Sequence, residues 1–214
     1  MNKIKTFIID SGDSKTDLCE LGNKSDKSPY CIWQHFHKHP YTPIYSLLLA
    51  PYRNKTIQFC EIGIAGGESI KMWREYFNPD SVIYAMDSCV EFLEMTNHRN
   101  LKNVVTQHID VGDPVYMNKV FTDINEQFDI IVDDSDHNFE SQKKIISVVV
   151  NFLKPGGLLI IEDVERNISA EKYEENLGPA LLSLFESVYY IKGEHNKKYS
   201  GDYNNDTLLV FVKV

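Results

Sequence analysis

An alternation that begins near residue 55 constrains this chain more than any other feature. Short apolar, β-branched runs, TIQFCEIG (56–63), SVIYAMD (81–87), NVVTQHID (103–110), FDIIVDD (128–134) and GLLIIED (157–163), are separated by longer amphipathic stretches. A run that is apolar on both faces suits a strand buried in a parallel sheet, whose neighbours must be joined by long crossovers. The stretches ESIKMWREYF, VEFLEMTNHRN, DPVYMNKVFTDINEQ and NFESQKKIISVVVNFL read as the crossover helices. The pattern predicts βαβ units in a doubly wound α/β sheet with helices on both faces. After a helix expected over 170–186 come two strand runs, 187–193 and 206–214, with only a loop between them. Both cannot be parallel to the sheet, and the last is the one expected to run antiparallel.

The first 54 residues differ from the rest and read as an extension laid over a main domain at 55–214. Residues 10–28 are rich in Ser, Asp, Lys and Gly and read as loop; residues 29–50 suggest one or two short helices. The opening MNKIKTFIID has an apolar core of only Phe7 to Ile9, too short for a signal peptide, and no run approaches the roughly 20 apolar residues of a membrane span. A cytoplasmic protein is the default expectation. The net charge of −9 disfavours sequence-independent nucleic-acid binding, which needs a cationic field. The cysteines at 19, 31, 60 and 89 include no CxxC pair, so neither a zinc site nor a disulfide framework is indicated, and Cys60 reads as a buried thiol.

In open α/β sheets ligands bind beyond the carboxyl ends of the strands. That places the site at Glu61–Gly67, Asp87, Asp110, Asp133–His137 and Glu162–Asp163. Glu61-Ile-Gly63-Ile-Ala-Gly66-Gly67 is a glycine turn feeding a helix, and glycine lets a backbone turn sharply against a ligand. One βαβ step later, Asp87 ends a strand where a carboxylate can take both ribose hydroxyls of an adenosine. Asp133-Asp134-Ser135-Asp136-His137 and Glu162-Asp163 bring several carboxylates and a histidine to one crevice. Such a cluster repels itself unless it is protonated or holds a cation, and oxygen ligands favour Mg²⁺, Mn²⁺ or Ca²⁺ over zinc. His137 is placed to act as a general base. The competing reading, that Asp134 to Asp136 cap the following helix, leaves Glu162-Asp163 unexplained. His35 and His37 read as surface or packing residues, His39 as part of a lid, and Trp33, Trp73 and Tyr189-Tyr190 as core.

The segments SDK (25–27), HPYTPIY (39–45), EIGIAGGESIKMW (61–73), IYAMD (83–87), VDDSDH (132–137), FLKPGGLLIIEDV (152–164) and NNDTLLVFVK (204–213) carry a resemblance. The chain resembles the class I S-adenosylmethionine-dependent methyltransferases, and more narrowly the metal-dependent macrolide-sugar and macrocin O-methyltransferases and the cephalosporin-pathway group. That class implies a Rossmann-like seven-stranded sheet whose last strand is antiparallel. Carried over by position, the resemblance implies a methionine-end loop of Glu61, Gly63 and Gly67 with Ser69 nearby. It implies ribose contact by Asp87, an adenine border of Asp110 and Val111, and a further cofactor contact at Asp133. Tyr41, Thr42 and Tyr45 would close over the cofactor. Asp134, Glu162 and Asp163 would hold Mg²⁺, with His137, beside Asp134, as the base. The family's usual DDGSH is DDSDH here. The implied acceptor is a sugar, glycoside or nucleotide-sugar hydroxyl, in a pocket formed by the extension and the 165–178 and 194–205 loops. Neither nucleic acid nor membrane is an expected partner, and a homo-oligomer is compatible with the sequence. Rival readings are a degenerate S-adenosylmethionine-binding module, a methyltransferase acting on a catechol, phenol or protein side chain, and an NAD-dependent oxidoreductase, which the spacing of the glycines disfavours.

Overall fold

Each of the apolar runs becomes a strand. The computed structural model describes residues 4–33, 37–194 and 206–214, so His35 and the loop residues 195–205 lie outside the described part. The strands are β1 (Ile4–Asp10), β2 (Gln58–Ile62), β3 (Val82–Asp87), β4 (Val104–His108), β5 (Phe128–Asp133), β6 (Leu153–Ile161), β7 (Phe185–Glu194) and β8 (Thr207–Lys213). The helices are α1 (Asp17–Leu21), α2 (Tyr41–Leu49), α3 (Glu68–Tyr76), α4 (Val90–Asn97), α5 (Pro114–Ile124), α6 (Phe139–Val149) and α7 (Ala170–Leu182). They form one sheet in the order β1-β7-β8-β6-β5-β2-β3-β4. Among the described strands only β8 is reversed, antiparallel to both β6 and β7, as the loop-only connection required.

The sheet has eight strands among the described residues, not the seven expected. The extra strand, β1, lies parallel to β7 at the sheet edge, with Ile4 opposite Val188 and Asp10 opposite Glu194. Its run IKTFIID is rich in β-branched residues, but an edge strand buries little, and its weak apolar signal reads in sequence as a segment of no fixed type. The division at 54/55 marks no break in packing. Besides β1 in the sheet, Leu18, Tyr41, Ile44, Tyr45 and Leu49 share a core with Phe59, Ile70 and Trp73.

The helices begin where capping chemistry directs. Asp113 accepts from the amides of Val115 and Tyr116 ahead of Pro114, and Asn138 accepts from Glu140. Helix α7 breaks at Gly178-Pro179, where Gly178 has φ +71°. Successive residues of the strands serve opposite faces. Phe59, Ile130, Leu158 and Ile160 pack toward α2 and α3, whereas Cys60, Ile131, Leu159 and Ile161 pack toward α5, α6 and α7. This parity decides where the acidic strand ends point. No described helix is long and apolar enough to cross a membrane.

Candidate functional site

A cleft of about 790 Å³ opens beyond the carboxyl ends of β2, β3, β4 and β5, within the range of small-molecule sites. Ile62, Gly63, Ile64, Ala65, Gly66 and Ser69 line it from the β2 turn and α3, Asp87 and Ser88 from the end of β3, and Asp110, Val111 and Gly112 from the loop after β4. Asp134, Ser135 and Asp136 line it from the β5 end, and Lys24, Ser25, Asp26 and Trp33 from the N-terminal segment. Asp87 organises the glycine turn: its Oδ2 accepts from Ile64 N at 2.9 Å and Ala65 N at 3.2 Å, and Oδ1 accepts from Cys89 N at 2.8 Å. Gly63 has φ +84°, and a Cβ there would lie 2.1 Å from the carbonyl oxygen of Asp134. The glycine thus lets the β2 and β5 loops touch. Gly66 faces open space.

Of the residues expected at the cofactor, Gly63, Ser69, Asp87, Asp110 and Val111 line this cleft, and six do not. Gly67 is held at φ +76° against Thr96, where a Cβ would meet Oγ1 at 2.5 Å, so it serves helix packing. Asp133, the last residue of β5, is buried, accepts from Ser135 Oγ at 2.6 Å, and its pKa is pushed by burial up to about 7. Glu61 follows the parity of Phe59 into the layer of α2 and α3. There its Oε2 accepts from Ser69 Oγ at 2.8 Å and Trp73 Nε1 at 3.2 Å. Tyr41, Thr42 and Tyr45 do not close over the cleft. They are buried in α2, because that helix packs its apolar face on the sheet and the tyrosines go with it. Their polar ends still reach the acidic strand ends: Tyr41 OH donates to Asp163 Oδ1 at 2.7 Å and Tyr45 OH to Glu162 Oε1. Trp33, read as core, is 47% exposed at the cleft mouth.

Two of the three expected metal ligands, Asp134 and Asp163, come together with His137. Asp134, His137 and Asp163 offer ligand atoms that all lie within 4.8 Å of one another. His137, at φ +57°, sets Nε2 3.1 Å from Asp134 Oδ1 and Nδ1 3.4 Å from Asp163 Oδ2. Glu162 is not in this group. It shares the parity of Leu158 and Ile160, and its oxygens meet Tyr45 and the ammonium of Lys27, 2.7 Å from Oε2. The same ammonium lies 2.6 Å from Asp134 Oδ2 and 3.1 Å from Glu61 Oε1. Burial opposes the charge on Lys27, but the three carboxylates outweigh it and raise its pKa well above the ordinary value, so it stays protonated. Burial likewise lifts the Asp134 carboxyl, yet Lys27 and His137 hold it below the usual range. Burial also works against a charged His137, but the hydrogen bond to Asp134 and the charge of Asp163 raise it to about 9. Asp136 organises the start of α6, accepting from Asn138 N and Ser141 Oγ.

Sequence reasoning missed three contributors. Lys27 sits in a Ser- and Asp-rich stretch that reads as solvated loop. His37 and His39, read as surface and lid residues, both place a ring nitrogen 2.9 Å from Asp206 Oδ1, and His39 Nδ1 is 3.3 Å from Asp163. The only early signal for Lys27 was its place in the SDK segment.

Residues 60–164 match the family described as "Methyltransferase domain". Demethylmacrocin O-methyltransferase of Streptomyces fradiae is 28% identical over 166 residues, covering 74% of this chain and 39% of that protein. The 8-demethyl-8-alpha-L-rhamnosyl tetracenomycin-C 2'-O-methyltransferase of Streptomyces olivaceus is 31% identical over 134 residues, 59% of this chain and 34% of that one. The match therefore covers well under half the length of these relatives. Among solved structures, the MycE methyltransferase from the mycinamycin biosynthetic pathway, in complex with Mg, SAH and mycinamycin VI, superposes with a TM-score of 0.67. The identity is 21%, with 94% of this chain and 56% of that chain covered. A SAM-dependent O-methyltransferase from Thermotoga maritima gives a TM-score of 0.57 at 13% identity, over 81% of this chain and 66% of that one. With a wound sheet reversed only at β8 among the described strands, a glycine turn tied to the next strand's aspartate, and the family match, residues 60–164 form a methyltransferase domain and the chain has the class I methyltransferase fold.

Proposed function

We propose that this chain binds S-adenosylmethionine in the cleft and transfers its methyl group to a hydroxyl of a sugar-bearing small molecule, with help from Mg²⁺. The observation that carries the reading is the acid–histidine cluster: Asp134 lines the cofactor-sized cleft and is also a member of the group with His137 and Asp163. The relatives named above act, by their names, on demethylmacrocin and a rhamnosyl tetracenomycin, and the MycE structure was solved with Mg, SAH and mycinamycin VI. A cytoplasmic setting and a neutral polar acceptor complete the reading.

In this scheme the Gly63–Ser69 turn receives the methionine end, Asp87 the ribose, and Asp110 and Val111 flank the adenine. A sulfonium methyl is already activated, so the chain's main task is to hold the acceptor oxygen in line behind it at ~3–3.5 Å. The carboxylates of Asp134 and Asp163 would hold a divalent ion, and oxygen ligands favour a hard one, which leaves the His137 ring beside it as the base. Such an ion supplies positive charge that lowers the pKa of a bound hydroxyl. Asp134 and Asp163 draw His137 up to about 9, a demand that a cation held by those carboxylates would relieve. His137 then takes the acceptor proton.

Labelled S-adenosylmethionine offered with a panel of glycosides, with Mg²⁺ or with EDTA, tests this reading. Methylated glycoside is expected only with Mg²⁺, and His137→Ala should abolish turnover while S-adenosylhomocysteine still binds. Failure of S-adenosylhomocysteine to bind removes the cofactor assignment, and undiminished turnover in EDTA removes the metal.

A further inference from the structure

We propose that His37, His39 and Asp206 form a second metal site, one for a borderline transition-metal ion such as Zn²⁺, in which two imidazole nitrogens and one carboxylate oxygen tie the N-terminal segment to the start of β8. The proposal stands apart from the methyl-transfer reading and takes no ligand from the ends of β5 or β6.

One ligand atom from each of the three residues lies within 4.8 Å of the other two. His37 Nε2 and His39 Nδ1 each stand 2.9 Å from the same oxygen, Asp206 Oδ1, and the two rings meet edge to face with centroids 4.2 Å apart. Around a four-coordinate Zn²⁺, with bonds of roughly 2.0–2.2 Å, ligand atoms stand roughly 3.3–3.5 Å apart, so the two imidazole–carboxylate contacts need to open by only a few tenths of an ångström. The ion would replace the imidazole protons that point at Asp206, and those protons leave to solvent. The ligands are held in place by their surroundings. His39 stacks on Tyr41 at 4.7 Å and 11°, and its amide donates to the Asp26 carbonyl at 2.7 Å. The Asp206 carbonyl accepts from Gly193 N at 2.7 Å, which extends the β7–β8 pairing to the residue that bears the carboxylate. A Cβ on Gly193 would lie 2.7 Å from Pro40 Cγ, so the segment carrying both histidines packs directly on β7. His39 and Asp206 are buried, and the His37 side chain nearly so. His39 Nδ1 is also 3.3 Å from Asp163 Oδ1, so the field of a neighbouring carboxylate favours a cation here. Two nitrogens and one oxygen suit Zn²⁺, Co²⁺ or Ni²⁺, whereas Mg²⁺ takes oxygen ligands, and three protein ligands leave a fourth position for water.

The test is Co²⁺ binding to the whole chain in excess Mg²⁺, read by the visible absorption of the bound ion, whose intensity reports coordination number, and by thermal shift. Wild type is compared with His37→Gln, with Asp206→Asn, which serves if His37→Gln does not fold, and with His137→Ala. Wild type is expected to bind Co²⁺ with the intense absorption of a low-coordinate ion and to melt at a higher temperature with it. Affinity should fall at least about tenfold in His37→Gln and in Asp206→Asn, the least that even an outer-shell change costs a metal site, and should stay near wild type in His137→Ala. A fall of that size in the folded His37→Gln or Asp206→Asn protein supports the proposal. Failure of wild type to bind Co²⁺, or an affinity that His37→Gln and Asp206→Asn leave unchanged, overturns it; a loss confined to His137→Ala would place the ion at the acid cluster and overturn it too. Failure of S-adenosylhomocysteine to bind wild type would defeat the methyl-transfer reading and leave the Co²⁺ comparison standing.

Discussion

Gly63 and Gly66 stand three residues apart in one turn, and the structure assigns them opposite burdens. A Cβ on Gly63 would lie 2.1 Å from the Asp134 carbonyl oxygen and 2.6 Å from Ser135 Cα, both backbone atoms that cannot rotate aside. Its φ of +84° adds about 1–2 kcal/mol for any L side chain, and forcing the two loops apart adds about 1–3 kcal/mol. Gly63→Ala should therefore lose about 3 kcal/mol, a fall in melting temperature of roughly 6–12 °C for a chain of this size. Gly66→Ala meets nothing within 4 Å, so its stability should stay within about 0.5 kcal/mol of wild type. The new methyl projects from a residue lining the cleft, so S-adenosylhomocysteine affinity should drop about tenfold or more, the effect of about 1.4 kcal/mol. Calorimetric melting and isothermal titration with S-adenosylhomocysteine read the two effects separately. A Gly63→Ala protein that melts within 2–3 °C of wild type, roughly 1 kcal/mol, would refute the close approach of the β2 and β5 loops. Unchanged cofactor affinity in Gly66→Ala would refute the placement of the cofactor along this turn.

Three other outcomes follow from particular contacts. Asp87→Asn keeps the side chain's size but loses the charge that gathers the amides of Ile64, Ala65 and Cys89; stability should fall by about 1–3 kcal/mol and S-adenosylhomocysteine binding with it, measured by urea unfolding and titration. Tyr41→Phe removes a buried donor to Asp163 and should cost about 1.5–3 kcal/mol, with cofactor affinity left close to wild type, because the side chain lies beneath the cleft; a selective loss of affinity would return Tyr41 to the cofactor. Burial raises the Asp206 carboxyl, but the hydrogen bonds from His37 and His39 outweigh it and hold its pKa below the ordinary value. A depressed folded pKa gives stability that is present above the unfolded value, near 3.9, and is lost as pH falls toward the folded one. Urea midpoints measured below about pH 4 should therefore fall with pH more steeply in wild type than in Asp206→Asn, and parallel curves would count against the pairing.

Much of the fold was legible because strand and helix signals are local. The runs at 81–87 and 128–134 became β3 and β5 within a residue, and the reversal of β8 followed from a connection too short for a crossover. Edge strand β1 was not legible, since pairing on one side only demands little apolar patterning. In the site, Gly63, Asp87, Asp110 and Asp134 were identifiable as residues at strand ends, where backbone direction alone aims them at the crevice. Glu61 and Glu162 sit at strand ends too and share the parity of Asp134, but they are buried in the layer of α2 and α3, where the Lys27 ammonium meets all three carboxylates.

The order of residue types along the chain determined that a wound sheet would form and that its carboxyl edge would be acidic, because periodicity and strand direction are properties of neighbouring residues. Which counter-ion meets that acid was decided by tertiary structure alone. Lys27 lies 107 residues from Asp134 and 135 from Glu162. A solvated lysine and a buried one look alike in sequence, and only folding, which removes the water around three carboxylates, gives the ammonium its place among them.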